Sequence, residues 1–254
     1  MTQDGPGGQL TPSPDAPGGS VLDAFRELEV EQLARYCAGI SVDGVIAQSV
    51  TIRLDRGQEV WASRGSLLAY NDRVDWSLKI PGGASQAASR MLSGESASLV
   101  NVQAKGPGAE VILSANQTGK LATWDLSRGP IVCTSGAFVA ALGDVKIDVT
   151  LARSAGAALF GGGGLLMQRL SGTGVVVVHG AGDFIERQLR PGEKLLVSTG
   201  NLAVFSGHVD YNIRSVGGCL KALFGGEGLF MTEMTGPGWV MLQSLKKLPV
   251  VAQQ

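Results

Sequence analysis

Histidine is almost missing from this chain, with only His179 and His208 among 254 residues. A zinc site draws several ligands from His, Cys and acidic residues at close spacing, and no segment here has that spacing. The expectation is therefore no metal and no cofactor. Both histidines stand near turns, His179 after the apolar run Val175 to Val178 and His208 before Val209, and read as polar strand-end residues. Cysteine is as scarce: Cys37, Cys133 and Cys219 are odd in number and far apart, which suits reduced thiols in a cytoplasmic protein. Cys133 follows an apolar pair and Cys219 precedes Leu220, surroundings that make a thiol inert rather than nucleophilic. No apolar stretch reaches about eighteen residues, so no transmembrane helix is expected. A basic n-region followed by an apolar core is also missing, which argues against a secretory signal and for a cytoplasmic location. Charge is nearly balanced, 21 Lys and Arg against 22 Asp and Glu, so the electrostatic footprint of a nucleic-acid binder is absent. Lys246-Lys247 is too small a cluster to supply one. A lipase-type Gly-x-Ser-x-Gly is missing too; Gly65-Ser66 and Ser93-Gly94-Glu95-Ser96 come closest and lack the second glycine. No catalytic residue is nominated.

Glycine is abundant instead, at 37 residues, and it marks a repeat. Ala158 to Met167 reads Ala-Leu-Phe-Gly-Gly-Gly-Gly-Leu-Leu-Met, and Ala222 to Met231, 64 residues on, matches it at eight of ten positions. A fixed offset of this kind is the mark of a duplicated module. A second landmark traces three copies. Gly65, Gly136 and Gly200 each precede a valine by nine positions, at Val74, Val145 and Val209. A third is Gly-x-Gly before an apolar run: Gly106-Pro-Gly108, Gly172-Thr-Gly174 and Gly236-Pro-Gly238. Gly161 to Gly164 has a phosphate-cradling alternative, but no Lys-Ser/Thr follows and the Rossmann spacing is absent, so turn geometry is the better reading.

Each copy reads as β-structure. Val50 to Leu54, Val175 to Val178, Lys194 to Val197 and Trp239 to Leu242 are short apolar runs with glycine turn signals nearby. The expectation is an all-β protein of three modules in a pseudo-threefold arrangement: 37–115, 116–182 and 183–254. Gly65, Gly106, Gly108, Gly136, Gly172, Gly174, Gly200, Gly236 and Gly238 are taken as structural turns. A module of this size is marginal alone, and a shared core would cure that. Residues 1–20, with five glycines and four prolines, read as a disordered tail. Leu22, Phe25, Leu33 and Tyr36 have helical apolar spacing, which predicts a short helical arm over 21–36. The arm either packs on the body or docks on a partner.

Two further features are candidates for function. Glu95 and Glu227 hold corresponding Gly-Glu positions and are a conceivable acid–base pair, although periodicity alone explains their placement. Leu159-Phe160 and Leu223-Phe224 precede glycine loops and form an apolar interaction surface if they point outward, core if they point inward. Trp61, Trp76, Trp124 and Trp239 either line a small-molecule pocket or fill module interfaces.

Ala222-Leu-Phe-Gly-Gly followed by Glu227-Gly-Leu-Phe-Met231, Gly236-Pro-Gly238 with its following strand, and the segments opening at Gly136 and Gly200 resemble the Altered Inheritance of Mitochondria twenty-four family. The resemblance covers about residues 40–248 and is clearest in the third module; the loop Ser93 to Ser98 of the first departs from it. It implies a fold similar to the tryptophan RNA-binding attenuation protein, a short double-stranded β-helix repeated three times as a pseudo-trimer. It carries no catalytic motif, and the link of mitochondrial members to inner-membrane organisation implies a scaffold or adaptor role. Nucleic-acid binding is not inherited from a fold. The resulting expectation is a non-enzymatic protein that binds a protein partner or itself, with peripheral membrane association open and small-molecule binding as the alternative.

Overall fold

A computed structural model describes residues 35–79, 99–151, 166–215 and 230–246. These residues form seventeen strands and, among them, only two short 3-10 turns, Leu126–Arg128 and Thr199–Asn201. The first group of strands is β1 (Gly39–Asp43), β2 (Ser49–Leu54), β3 (Glu59–Ala62), β4 (Leu67–Tyr70), β5 (Val74–Lys79), β6 (Leu99–Ala104) and β7 (Ala109–Ser114). The middle group is β8 (Gly119–Asp125), β9 (Ile131–Thr134), β10 (Phe138–Leu151) and β11 (Leu166–Ala181). The last is β12 (Phe184–Leu189), β13 (Lys194–Ser198), β14 (Leu202–Ser206), β15 (Asp210–Ser215), β16 (Phe230–Thr235) and β17 (Gly238–Gln243). The four apolar runs singled out in the sequence fall in β2, β11, β13 and β17.

All ladders between these strands are antiparallel, and the pairing follows one scheme in each group. In the first, β2 and β4 flank β7 while β3 and β5 flank β6. In the last, β12 and β14 flank β17 while β13 and β15 flank β16. The middle group does the same with fewer, longer strands. The second half of β11 lies between β8 and the start of β10, and its first half between β9 and the end of β10. A bulge recurs as well: the register slips between Leu67 and Ala69, between Phe138 and Ala140, and between Leu202 and Val204. Each slip lies just past Gly65, Gly136 or Gly200. Bulges re-aim a strand and sharpen its twist, and the same device recurs at the same place in each group.

The reading of Gly172 and Gly174 as turn residues is corrected. Both lie inside β11, where Gly172 faces Val145 and Gly174 faces Gly143. A Cβ on Gly172 would stand 2.3 Å from the carbonyl oxygen of Asp144, and one on Gly174 would stand 2.1 Å from that of Leu142. Glycine is needed because the two paired backbones approach closely there. Gly106 and Gly108 do sit in the connection between β6 and β7, and Gly236 in that between β16 and β17, whereas Gly238 opens strand β17, paired with Leu189.

The core explains why several strands are apolar at every position. Among the described residues three hydrophobic clusters form, drawn mainly from the first, middle and last groups. Val175 and Val177 pack in the first and Val176 and Val178 in the second. Side chains alternate along a strand, so a strand shared by two cores has no polar face to offer. The same holds for β9, whose Ile131 and Cys133 join the second cluster while Val132 joins the third.

Candidate functional site

Two cavities open at the junctions between groups. The larger, about 180 Å³, lies between the first and middle groups and is lined by Ser63, Arg64, Asn116, His179 and neighbouring residues. Ser66 also lines it, and its hydroxyl donates to the carbonyl of Ser63 at 2.7 Å, so this hydroxyl ties a turn together. His179 is buried at 3% exposure, and its backbone N–H donates to Ala137. The smaller cavity, of about 10 Å³, lies between Trp124 and Trp239 and has room for about one water molecule. Of the four tryptophans, Trp124 and Trp239 thus meet at an interface of groups, Trp61 packs partly buried on the second core, and Trp76 is exposed.

Titratable groups are scattered. Among the described residues no cluster of three or more His, Cys, Asp or Glu could hold a metal ion. The ion pairs Arg53–Glu110, Lys146–Asp148 and Lys194–Glu233 link neighbours on or across strands near the surface. The fully buried Asn101 is satisfied within its sheet, accepting from Lys79 at 2.6 Å and donating to Glu59 at 3.1 Å. Burial without a charged partner pushes the thiol of Cys133 far up, and burial raises Cys37 against a lowering hydrogen bond from the Gly39 backbone. Neither is a nucleophile near neutral pH.

What stands out instead is apolar surface. Among the described residues ten large hydrophobic side chains are exposed, and seven belong to the first group: Val42, Val45, Ile46, Leu68, Tyr70, Trp76 and Leu78. Leu68 and Tyr70 lie on β4, and Trp76 and Leu78 share one face of β5. In the last group Leu196 of β13 is 59% exposed.

A family model described as Mitochondrial biogenesis AIM24 matches residues 41–245. The chain belongs to the AIM24 family. The sequence resemblance to the Altered Inheritance of Mitochondria twenty-four family is thereby shown. An uncharacterised protein of Streptococcus pyogenes serotype M6 is 27% identical over 204 residues, covering 77% of this AIM24 chain and 81% of its own. The crystal structure of another S. pyogenes protein superposes with a TM-score of 0.69 at 22% identity, over 82% of this chain and 94% of that one. That likeness establishes a shared fold.

The structure places the candidate residues of the sequence unevenly. Leu22, Phe25 and Leu33 lie outside the described residues, as do Leu159, Phe160, Leu223, Phe224, Glu95 and Glu227. Tyr36 is described, and it is in a turn rather than a helix. Its ring packs half-buried on the first core, above Gly143. It is an anchor of the body. The exposed residues of β4 and β5 were missed because alternation such as Val74, Trp76, Leu78 is written the same way whether or not something covers that face. No helix among the described residues is long and apolar enough to cross a membrane.

Proposed function

We propose that this AIM24 protein is a non-enzymatic scaffold or adaptor, built from three copies of one β module, that works by protein association. The observation that carries the reading is the concentration of exposed large hydrophobics in the first group, on β1, β4, β5 and the β1–β2 connection. Large apolar side chains are costly to leave in water, and their concentration in one part of a chain favours association over a free surface. The triplicate architecture draws support from the shared pairing scheme and the recurring bulge after Gly65, Gly136 and Gly200. Among the described residues the titratable groups are scattered and the thiols of Cys37 and Cys133 are inert, which favours association over chemistry. A membrane-peripheral or cytoplasmic setting both suit such a protein, and the near-neutral charge favours protein over nucleic acid.

Small-molecule binding is the second reading, and the polar cavity beside His179 is what favours it. At about 180 Å³ it is smaller than the roughly 300–1,000 Å³ usual for ligand pockets. The test is a chain carrying Leu68→Ser, Trp76→Ser and Leu78→Ser, used as bait in native extract beside the unchanged chain. The expected result is loss of captured protein with an unchanged far-UV spectrum. Undiminished capture contradicts the surface, and one tightly held metal ion per chain contradicts the non-enzymatic half.

A further inference from the structure

Successive groups are joined inside the chain by one kind of strand pairing, used twice. β3 of the first group pairs with β10 of the middle group through Ala62↔Ala140, Trp61↔Ala141 and Val60↔Leu142. β9 of the middle group pairs with β14 of the last through Cys133↔Val204, Val132↔Phe205 and Ile131↔Ser206. Counted from Gly65, Gly136 and Gly200, the rule is identical. Residues three to five before one glycine meet residues four to six after the next.

The rule leaves one acceptor and one donor strand over. β4 occupies the place of β10 and β14, and β13 the place of β3 and β9. Yet among the described residues each is the last strand of its sheet, and they do not pair with each other. In the two junctions that form, the central pair is covered: Ala141 and Phe205 are buried, facing half-buried Trp61 and buried Val132. The corresponding residues at the free ends are Tyr70, 49% exposed, and Leu196, 59% exposed.

The edges also differ in how they are guarded. Open sheet edges are ordinarily blunted by charge. β1 carries Asp43, β5 Asp75 and Lys79, β12 Glu186 and Arg187, and β15 Asp210 and Arg214. β4 reads Leu-Leu-Ala-Tyr with no charge, and the only charge on β13, Lys194, is paired with Glu233.

We infer that β4 of one molecule pairs antiparallel with β13 of a second copy, continuing the intrachain junction between chains. The register is Ala69↔Val197, Tyr70↔Leu196 and Asn71↔Leu195. The inference rests on the reading of the protein as an association module and names its partner as another copy of the chain. The contact is head-to-tail, so it builds a ring if the rotation closes and an open filament if it does not.

The test uses the full chain with Cys219→Ser, since Cys37 and Cys133 are buried. Chains carrying Tyr70→Cys are mixed with chains carrying Leu196→Cys and oxidised, and the disulfide is mapped by peptide mass spectrometry. The expected product links positions 70 and 196 and needs both chains, because neither forms it alone. In parallel, sedimentation of the unchanged chain shows mass above the monomer rising with concentration. Leu196→Lys returns it to monomer, and its melting temperature equals that of the unchanged chain at dilutions where the latter is also monomeric. A monomer at all concentrations with no cross-link overturns the inference, as does each singly substituted chain linking to itself. A monomer that still loses captured partners on the Leu68, Trp76 and Leu78 substitutions overturns only this inference and leaves the association reading standing.

Discussion

Gly172 and Gly236 show how one residue type serves two ends. Gly236 connects β16 to β17, with the carbonyl oxygen of Arg190 at 2.3 Å from where its Cβ would stand. Gly172 sits mid-strand at a φ of +107°, which side chains with a Cβ rarely adopt. Gly172→Val and Gly236→Val are each expected to cost about 1 kcal/mol or more, read as a lowered denaturation midpoint; an unchanged midpoint in both contradicts this. A cysteine offers a second check. Cys133 is fully buried and its thiol raised by desolvation, so it should stay unalkylated in the folded chain and react only after denaturation. The raised folded value also fixes the sign of a pH effect. The buried thiol stays protonated while the unfolded one ionises above about pH 8.5, so this contribution to stability is present below that pH and lost as pH rises. Alkylation of Cys133 in the native chain at pH 8 contradicts the burial.

At the scale of elements, the strands were legible and their surroundings were not. Val175 to Val178 announces a strand by β-branching, and its fully apolar run is consistent with burial on both faces. That the two faces belong to two different cores depends on β10, whose Ala140 and Leu142 face one cluster while Ala141 faces the other. Leu142→Ala therefore empties space in a packed core, with an expected loss of about 2–5 kcal/mol by chemical denaturation. Gly172-Thr-Gly174 was read as a turn because close backbone approach and a tight turn demand the same residue. Tyr36 was read as the end of a helix because its spacing from Leu33 suits one, whereas its ring is held over Gly143 in a turn. A truncation meant to spare the body should therefore end before Arg35. The exposed faces of β4 and β5 carried no distinguishing mark, since only an absent neighbour separates them from core strands.

At the scale of the molecule, the three strand groups of this AIM24 chain are joined by one strand-pairing rule, and among the described residues β4 and β13 are the two unused halves of that rule. The repeat in the glycines was visible in the sequence; the rule was not, because it depends on which strand lies beside which. Amide hydrogen exchange across a concentration series tests the account most directly. Protection at residues 68–71 and 195–197 is predicted to rise with protein concentration while the charged edges β1 and β12 stay unchanged. Equal exchange at β4 and β13 across the whole series would contradict it.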